Sequence, residues 1–239
     1  MSLQRKSRKY HKWLMLFVGV QFVVWSITGT YMVVFDINYI HGNSLVTEKQ
    51  TYIKGEQVKY SITKLYADYP AAKNVELTSL LEDAVYRFTL DKQKYLLSAD
   101  TGKLLSPIKQ EYAALIAKYK YEDPNAVIKQ VSLIRKDAPF ELNARHLPVW
   151  RIDFDDFASP SFYISERTGE LVTKRHFFWR LFDWMFSFHV MDFVEEDASN
   201  KLLLFFIIFS LIASLFGLIL TYFSLIKQGN KKAYIRTEP

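Results

Sequence analysis

WLMLFVGVQFVVWSITGTYMVVF, residues 13–35, and LLLFFIIFSLIASLFGLILTYF, residues 202–223, hold no charged side chain between them. At 23 and 22 residues, each would reach about 33 to 35 Å as a helix at ~1.5 Å per residue, which matches the hydrocarbon core of a bilayer. Both predict transmembrane helices. Basic residues precede the first, as they would in a cleaved signal peptide. Its apolar run is too long for that and no small-x-small site follows Phe35, so an uncleaved anchor is expected.

Working outward, Arg5, Lys6, Arg8, Lys9 and Lys12 precede the first span with no acid among them, and Lys227, Lys231, Lys232 and Arg236 follow the second against Glu238 alone. The stretch 36–200 carries 21 Lys plus Arg against 24 Asp plus Glu, a net −3, so the overall +6 belongs to the tails. Positive tails are retained in the cytoplasm, which predicts both termini inside and a central domain of roughly 160 residues outside. The same charge speaks for anionic lipid headgroups and against a nucleic-acid partner. With no cysteine there is no disulfide, no iron–sulfur cluster and no covalent haem attachment. A bacterial inner membrane with a periplasmic central domain is the expected location.

The central domain carries an internal duplication. Val85-Tyr86-Arg87-Phe88 matches Val149-Trp150-Arg151-Ile152 at an offset of 64, and YLLS (95–98) with TGKL (101–104) matches FYIS (162–165) with TGEL (168–171) at an offset of 67. The second copy therefore has a hairpin loop three residues longer. Polar and apolar residues alternate through 85–90 and 149–154, as in half-buried strands, and Thr-Gly supplies a tight turn before each strand resumes. Helices are predicted over 58–69 and 108–119, so each copy reads as a helix packed on a small antiparallel sheet.

The order helix, strand, strand and "YLLSADTGKLL" or "FYISERTGELV" resembles the PepSY domain. The flanking "HKWLMLFVGVQFVVWSITGTYMVVF" and "WRLFDWMFSFHVMDF" resemble the PepSY-associated transmembrane helix family. The expected fold is membrane α+β, with two transmembrane helices flanking an extracytoplasmic domain of two PepSY-like units. Its segments are a basic tail (1–12), the first span (13–35), two units (36–107 and 108–175), an interfacial amphipathic helix (176–193), the second span (202–223) and a basic tail (224–239). Many members of the family have four or more spans where this chain has two.

The resemblance implies two kinds of function. One is a membrane reductase component using b-type haem to pass electrons to a periplasmic ferric complex or flavoprotein. The other is a non-catalytic envelope module, a regulator or inhibitor, whose PepSY units bind a peptide or protein. Haem b ligation needs two imidazoles at one iron, and the candidates are His189, His41 and His11. On a helix over 176–193, His176, Arg180, Asp183 and Ser187 share a polar face, whereas His189 shares the opposite one with Phe178, Phe182, Met185, Phe186 and Phe193. A histidine there is either a satisfied buried residue or a ligand; "FHVMDF" matches the family's motif before a span. This segment is too short and charged to cross the membrane and is expected on its surface, with His189 at the outer headgroup level near His41. His11, in a family-like His-Lys-Trp opening, and His41 lie 30 residues apart, about 45 Å of helix, and cannot share one iron within a chain. His146 reads as a surface residue.

Asp153, Asp155 and Asp156 read as a solvated strand end, and Glu195, Glu196 and Asp197 as the point where the chain leaves the interface. No metalloprotease, nucleophile-elbow, phosphate-loop or dinucleotide motif is present. Small residues recur along the second span at Ser210, Ala213, Ser214, Gly217, Thr221 and Ser224, and the first offers Gly19, Gln21, Ser26, Gly29 and Thr30. Such stripes let helices approach closely in lipid, so the spans are expected to pair and to join a homodimer or a membrane partner in a four-helix bundle.

Overall fold

The computed structural model describes residues 3–49, 51–192 and 200–226. Glu195, Glu196, Asp197 and the basic residues from Lys227 onward lie outside them. The chain divides into a helix unit, residues 1–36 and 182–239, and a sheet unit, residues 37–181.

Two candidate membrane-spanning helices form the helix unit: α1 (Leu3–Val34) and, later in the chain, α6 (Lys201–Thr221). They run antiparallel, since Tyr10 stacks on Phe216 while Phe17 meets Phe205, Phe206 and Phe209. The covered side of α1 recurs every three or four residues at Ser7, His11, Leu14, Val18, Gln21, Trp25 and Thr28, and that of α6 at Leu203, Phe206, Ser210, Ala213, Gly217 and Leu220. This is the 3.5-residue seam of a left-handed helix pair. Of the small stripe on α6, Ala213 and Gly217 face α1, while Ser214 and Thr221 are exposed and bond to carbonyls of their own helix. The remaining surface is apolar and exposed, as lipid contact requires.

In the sheet unit, α2 (Ile37–Ile40) leads to α3 (Ile62–Asp68), whose start is fixed by Ser61 Oγ accepting from the Lys64 amide at 3.3 Å. The helix is shorter than the 58–69 expected because Ser61, extended at φ −71° and ψ 156°, caps it and leaves residues 58–60 outside. The strands β1 (Lys73–Leu80), β2 (Asp83–Leu90) and β3 (Gln93–Ser98) form an antiparallel sheet in that order. After α4 (Gln110–Lys120), a second antiparallel sheet follows from β4 (Ile128–Ile134), β5 (Val149–Phe154), β6 (Ser161–Ser165) and β7 (Leu171–Arg175). The two sheets are separate. The last helix before α6 is α5 (Phe177–Val190), and the division between the units falls inside it.

The sheets share a register. Val85 pairs with Ser98 and Val149 with Ser165; Tyr86 pairs with Leu97 and Trp150 with Ile164; Phe88 pairs with Tyr95 and Ile152 with Phe162. Both Thr-Gly turns are built alike. Gly102 and Gly169 sit at φ +71° and +66°, and each donates its N–H to the serine carbonyl four residues back. The sheets differ at their far edges. Leu171 opens the full strand β7, whereas Leu104 makes a lone bridge to Leu97 before Pro107 ends the extended run.

Tyr86, Phe88 and Leu97 pack one face of the first sheet on Leu65 of α3. Its other face, with Leu80, Val85 and Leu96, shares a core with Ala113, Ile116 and Ala117 of α4 and with Ile152, Phe154 and Phe162 of the second sheet. The far face of the second sheet, with Val149 and Tyr163, packs on Leu142.

Candidate functional site

The histidines separate into distinct environments. In the helix unit, the His189 ring lies against Gly29, where an added Cβ would come within 3.4 Å of it, and its Nδ1 is 2.8 Å from Thr28 Oγ1. The Thr28 hydroxyl donates to the Val24 carbonyl at 2.8 Å, so it accepts from His189. Nδ1 is then the donor in this contact, and Nε2 has no partner among the described residues. Trp25 Nε1–H donates to the His189 carbonyl at 2.7 Å and secures the turn. His189 is thus held beside Thr28, six residues short of the end of α1.

His11 has a different partner. Its Nδ1 donates to the Ala213 carbonyl at 3.0 Å, and its ring fills the notch at Gly217, where a Cβ would stand 3.1 Å from Cε1. This is a packing role between helices. The 17 residues of α1 between His11 and the Thr28 contact cover roughly 25 Å, so His11 and His189 cannot meet at one iron within the unit. His41 is exposed and belongs to the sheet unit. The described residues of the helix unit thus supply one available imidazole, His189, and a bis-histidine haem site does not close within that unit.

His176 is buried, with Nε2 3.0 Å from both the Tyr39 and Ile40 carbonyls, which it caps at the end of α2. Burial holds its pKa below the ordinary 6.5 despite those two acceptors. His146 lies in the loop between β4 and β5, half-buried, and burial with Arg145 alongside also lowers its pKa.

Sequence reasoning missed a buried charge network in the sheet unit. Glu141, 4% exposed, accepts from Arg180 Nε at 2.6 Å and Nη2 at 3.1 Å and from the Tyr163 hydroxyl, with Arg151 Nη1 at 3.9 Å. Burial alone would raise its pKa; Arg180, Tyr163 and Arg151 outweigh that and hold it below the usual carboxylate range. Asp153 belongs to the same network through Arg151 Nε (2.9 Å) and Ser161 Oγ (2.5 Å), and Asp156 accepts from the Tyr121 hydroxyl at 2.7 Å. Asp153 is half-buried in this network, whereas Asp155 and Asp156 are exposed, as expected of a solvated strand end. Among the described residues, no group of three or more His, Asp or Glu is placed to hold a metal ion.

A cleft of about 820 Å³ lies between the end of the first sheet and α4. Val85, Leu104, Leu105, Ile108 and Leu115 give it apolar walls, and its rim carries Lys59, Lys103 and Lys109 with Asp83 and Glu111. The Ser98 amide donates to the Lys103 carbonyl (2.9 Å) and the Leu105 amide to that of Leu96 (2.8 Å). Alternation then turns the N–H and C=O of Leu104 away from β3 and toward the cleft, where neither has a partner among the described residues. The sequence signal for this open edge is Pro107, which interrupts the first copy where the second continues as β7. No family model, curated protein or solved structure matches this chain.

Proposed function

We propose that the chain is a membrane-anchored envelope module whose sheet unit, two PepSY-like repeats, binds an extended peptide segment of a partner protein. The observation that carries this reading is the open edge at Leu104, which turns an unpaired N–H and C=O into an apolar-walled cleft. An added strand would gain two main-chain hydrogen bonds there and place alternate side chains on Leu105 and Leu115. The rim, of both signs, favours a segment with interspersed charge. The shared register and matched turns of the two sheets support the reading as repeats, and the basic tails support an orientation with both termini in the cytoplasm of a bacterial inner membrane.

The test is to pan random decapeptides against the purified full chain. Enriched peptides should alternate apolar residues, and Leu104→Pro, which removes the N–H donor, should weaken their binding by up to about tenfold, the worth of one hydrogen bond. Equal binding by Leu104→Pro would reject the site.

A second reading, haem-dependent electron transfer to a periplasmic ferric complex or flavoprotein, draws on His189. Its Nδ1–H is held by Thr28 and its Nε2 has no partner among the described residues, as in an axial imidazole whose other ring nitrogen is hydrogen-bonded. The second ligand would have to come from His41 or from another chain. An absorbance spectrum of the membrane-extracted protein separates the readings: a Soret band with reducible α and β bands supports haem, and a colourless protein opposes it. Loss of those bands in His189→Ala, with His146→Ala unchanged, would assign the ligand.

A further inference from the structure

The sheet unit leaves several large aromatic side chains uncovered close to where the chain enters and leaves it. Phe157 is 76% exposed, Phe140 62% and Phe177 54%. Burying such rings is worth more than displaying them, so a patch of this kind in one place marks a contact surface.

Ring contacts tie the patch to both exits. Phe157 lies 6.0 Å from Phe178, which is 5.5 Å from Phe177 and 5.4 Å from Tyr39. Tyr39 stands only five residues beyond the last residue of α1, a reach of at most ~18 Å even for a fully extended chain. Phe140 lies 6.5 Å from Trp179, whose other contact is the Arg175 guanidinium 3.9 Å above its ring. Trp179 is three residues before the helix unit resumes at Phe182. Aromatic side chains tethered this closely to the end of an apolar span, as Tyr39 is to α1, are those that settle at the headgroup boundary.

Phe157 also sits on the loop by which the second hairpin exceeds the first. The first turns through Asp91 and Lys92 alone, whereas residues 155–159 connect Phe154 to Pro160, whose carbonyl accepts the Phe154 amide. The extension is held from behind by the Phe177 amide on the Ala158 carbonyl (2.7 Å) and by Arg180 on the Ser159 carbonyl (3.2 Å). It therefore presents Phe157 from a fixed base.

From this we propose that Phe157, Phe140 and Phe177 dock the sheet unit on the lipid surface from which its two connections emerge. The proposal rests on the membrane anchorage argued above. The charged groups around the patch are balanced: Arg180 is paired with Glu141, Arg175 covers Trp179, and Asp155 and Asp156 flank Phe157. Docking is therefore apolar, and zwitterionic lipid suffices.

The chain has no cysteine, so a single introduced thiol takes a label at one place. Phe157→Cys, Phe140→Cys, Tyr52→Cys and Leu215→Cys would be labelled with an environment-sensitive fluorophore in the full chain, reconstituted in phosphatidylcholine vesicles. Tyr52, 81% exposed, and Leu215 in α6, 54% exposed, report water and hydrocarbon respectively. The expected result is a blue shift and quenching by headgroup-level nitroxide lipids at positions 157 and 140, with none at 52. Labels at 157 and 140 unquenched by headgroup-level nitroxides, beside a 215 quenched by acyl-chain nitroxide lipids, would overturn the docking and leave the anchorage standing. A 215 unquenched by acyl-chain nitroxides would overturn both. A blue shift at 157 without lipid quenching would put protein, such as a second copy, on the patch and overturn a lipid partner.

Discussion

His176 shows how one side chain can look surface-bound in sequence and be structural in fact. Its spacing with Arg180, Asp183 and Ser187 gives a polar stripe, but the ring is 2% exposed and caps two α2 carbonyls. A helical wheel cannot reveal this, because the partner backbone lies more than 130 residues earlier. Burial keeps the folded pKa below 6.5, so the unfolded chain binds the proton more tightly. The stabilisation is complete above that pH and is lost as pH falls from 6.5 through the folded value. His176→Gln retains a donor N–H and should abolish this dependence, while His176→Ala should cost about 1–3 kcal/mol; urea midpoints followed by amide exchange in β5 and β6 would report both. Glu141 governs a lower window. Its folded pKa lies below the ordinary 4.5, so its contribution is present above 4.5 and disappears as pH falls through the folded value. Glu141→Gln, which strands Arg180 without its counter-charge, should lower stability by about 3 kcal/mol at neutral pH.

At the scale of elements, the longer second hairpin ties the loop to α5. Deleting residues 157–159 would match it to the first hairpin in length. It would also remove the carbonyls that receive the Phe177 amide and Arg180. The deletion should make residues 175–181 a proteolytic target while β1 to β3 keep their exchange protection. Two glycines of the spans, Gly217 and Gly19, allow a similar contrast. Gly217→Val would drive a side chain into the His11 ring, whereas nothing lies within 4 Å of a Cβ at Gly19. The first should lower the thermal midpoint of the detergent-solubilised protein and the second leave it unchanged. Much at this scale was legible, because alternation at residues 85–90 and the Thr-Gly pairs are local signals, and the offsets of 64 and 67 reappear in the strand register. What stayed hidden depends on distant neighbours. The open edge at Leu104 needs the position of α4, and the seat of His189 needs Thr28, which is 161 residues away in sequence.

For the whole molecule, the charge distribution predicts that a reporter fused after Thr173 is active only when exported and one fused after Lys232 only in the cytoplasm. Opposite activities at either site would reverse the orientation. The far face of the four-stranded sheet has a consequence of another kind. The first sheet offers an apolar face to α4, and that mode of growth is open-ended, as in a solenoid. The corresponding face of the second sheet is roofed by Glu141, Arg151 and Arg180, whose charges offer no seat to another apolar helix. The network therefore acts as a stopper to the stack. A chain engineered with a third copy would first have to replace those three residues with apolar ones.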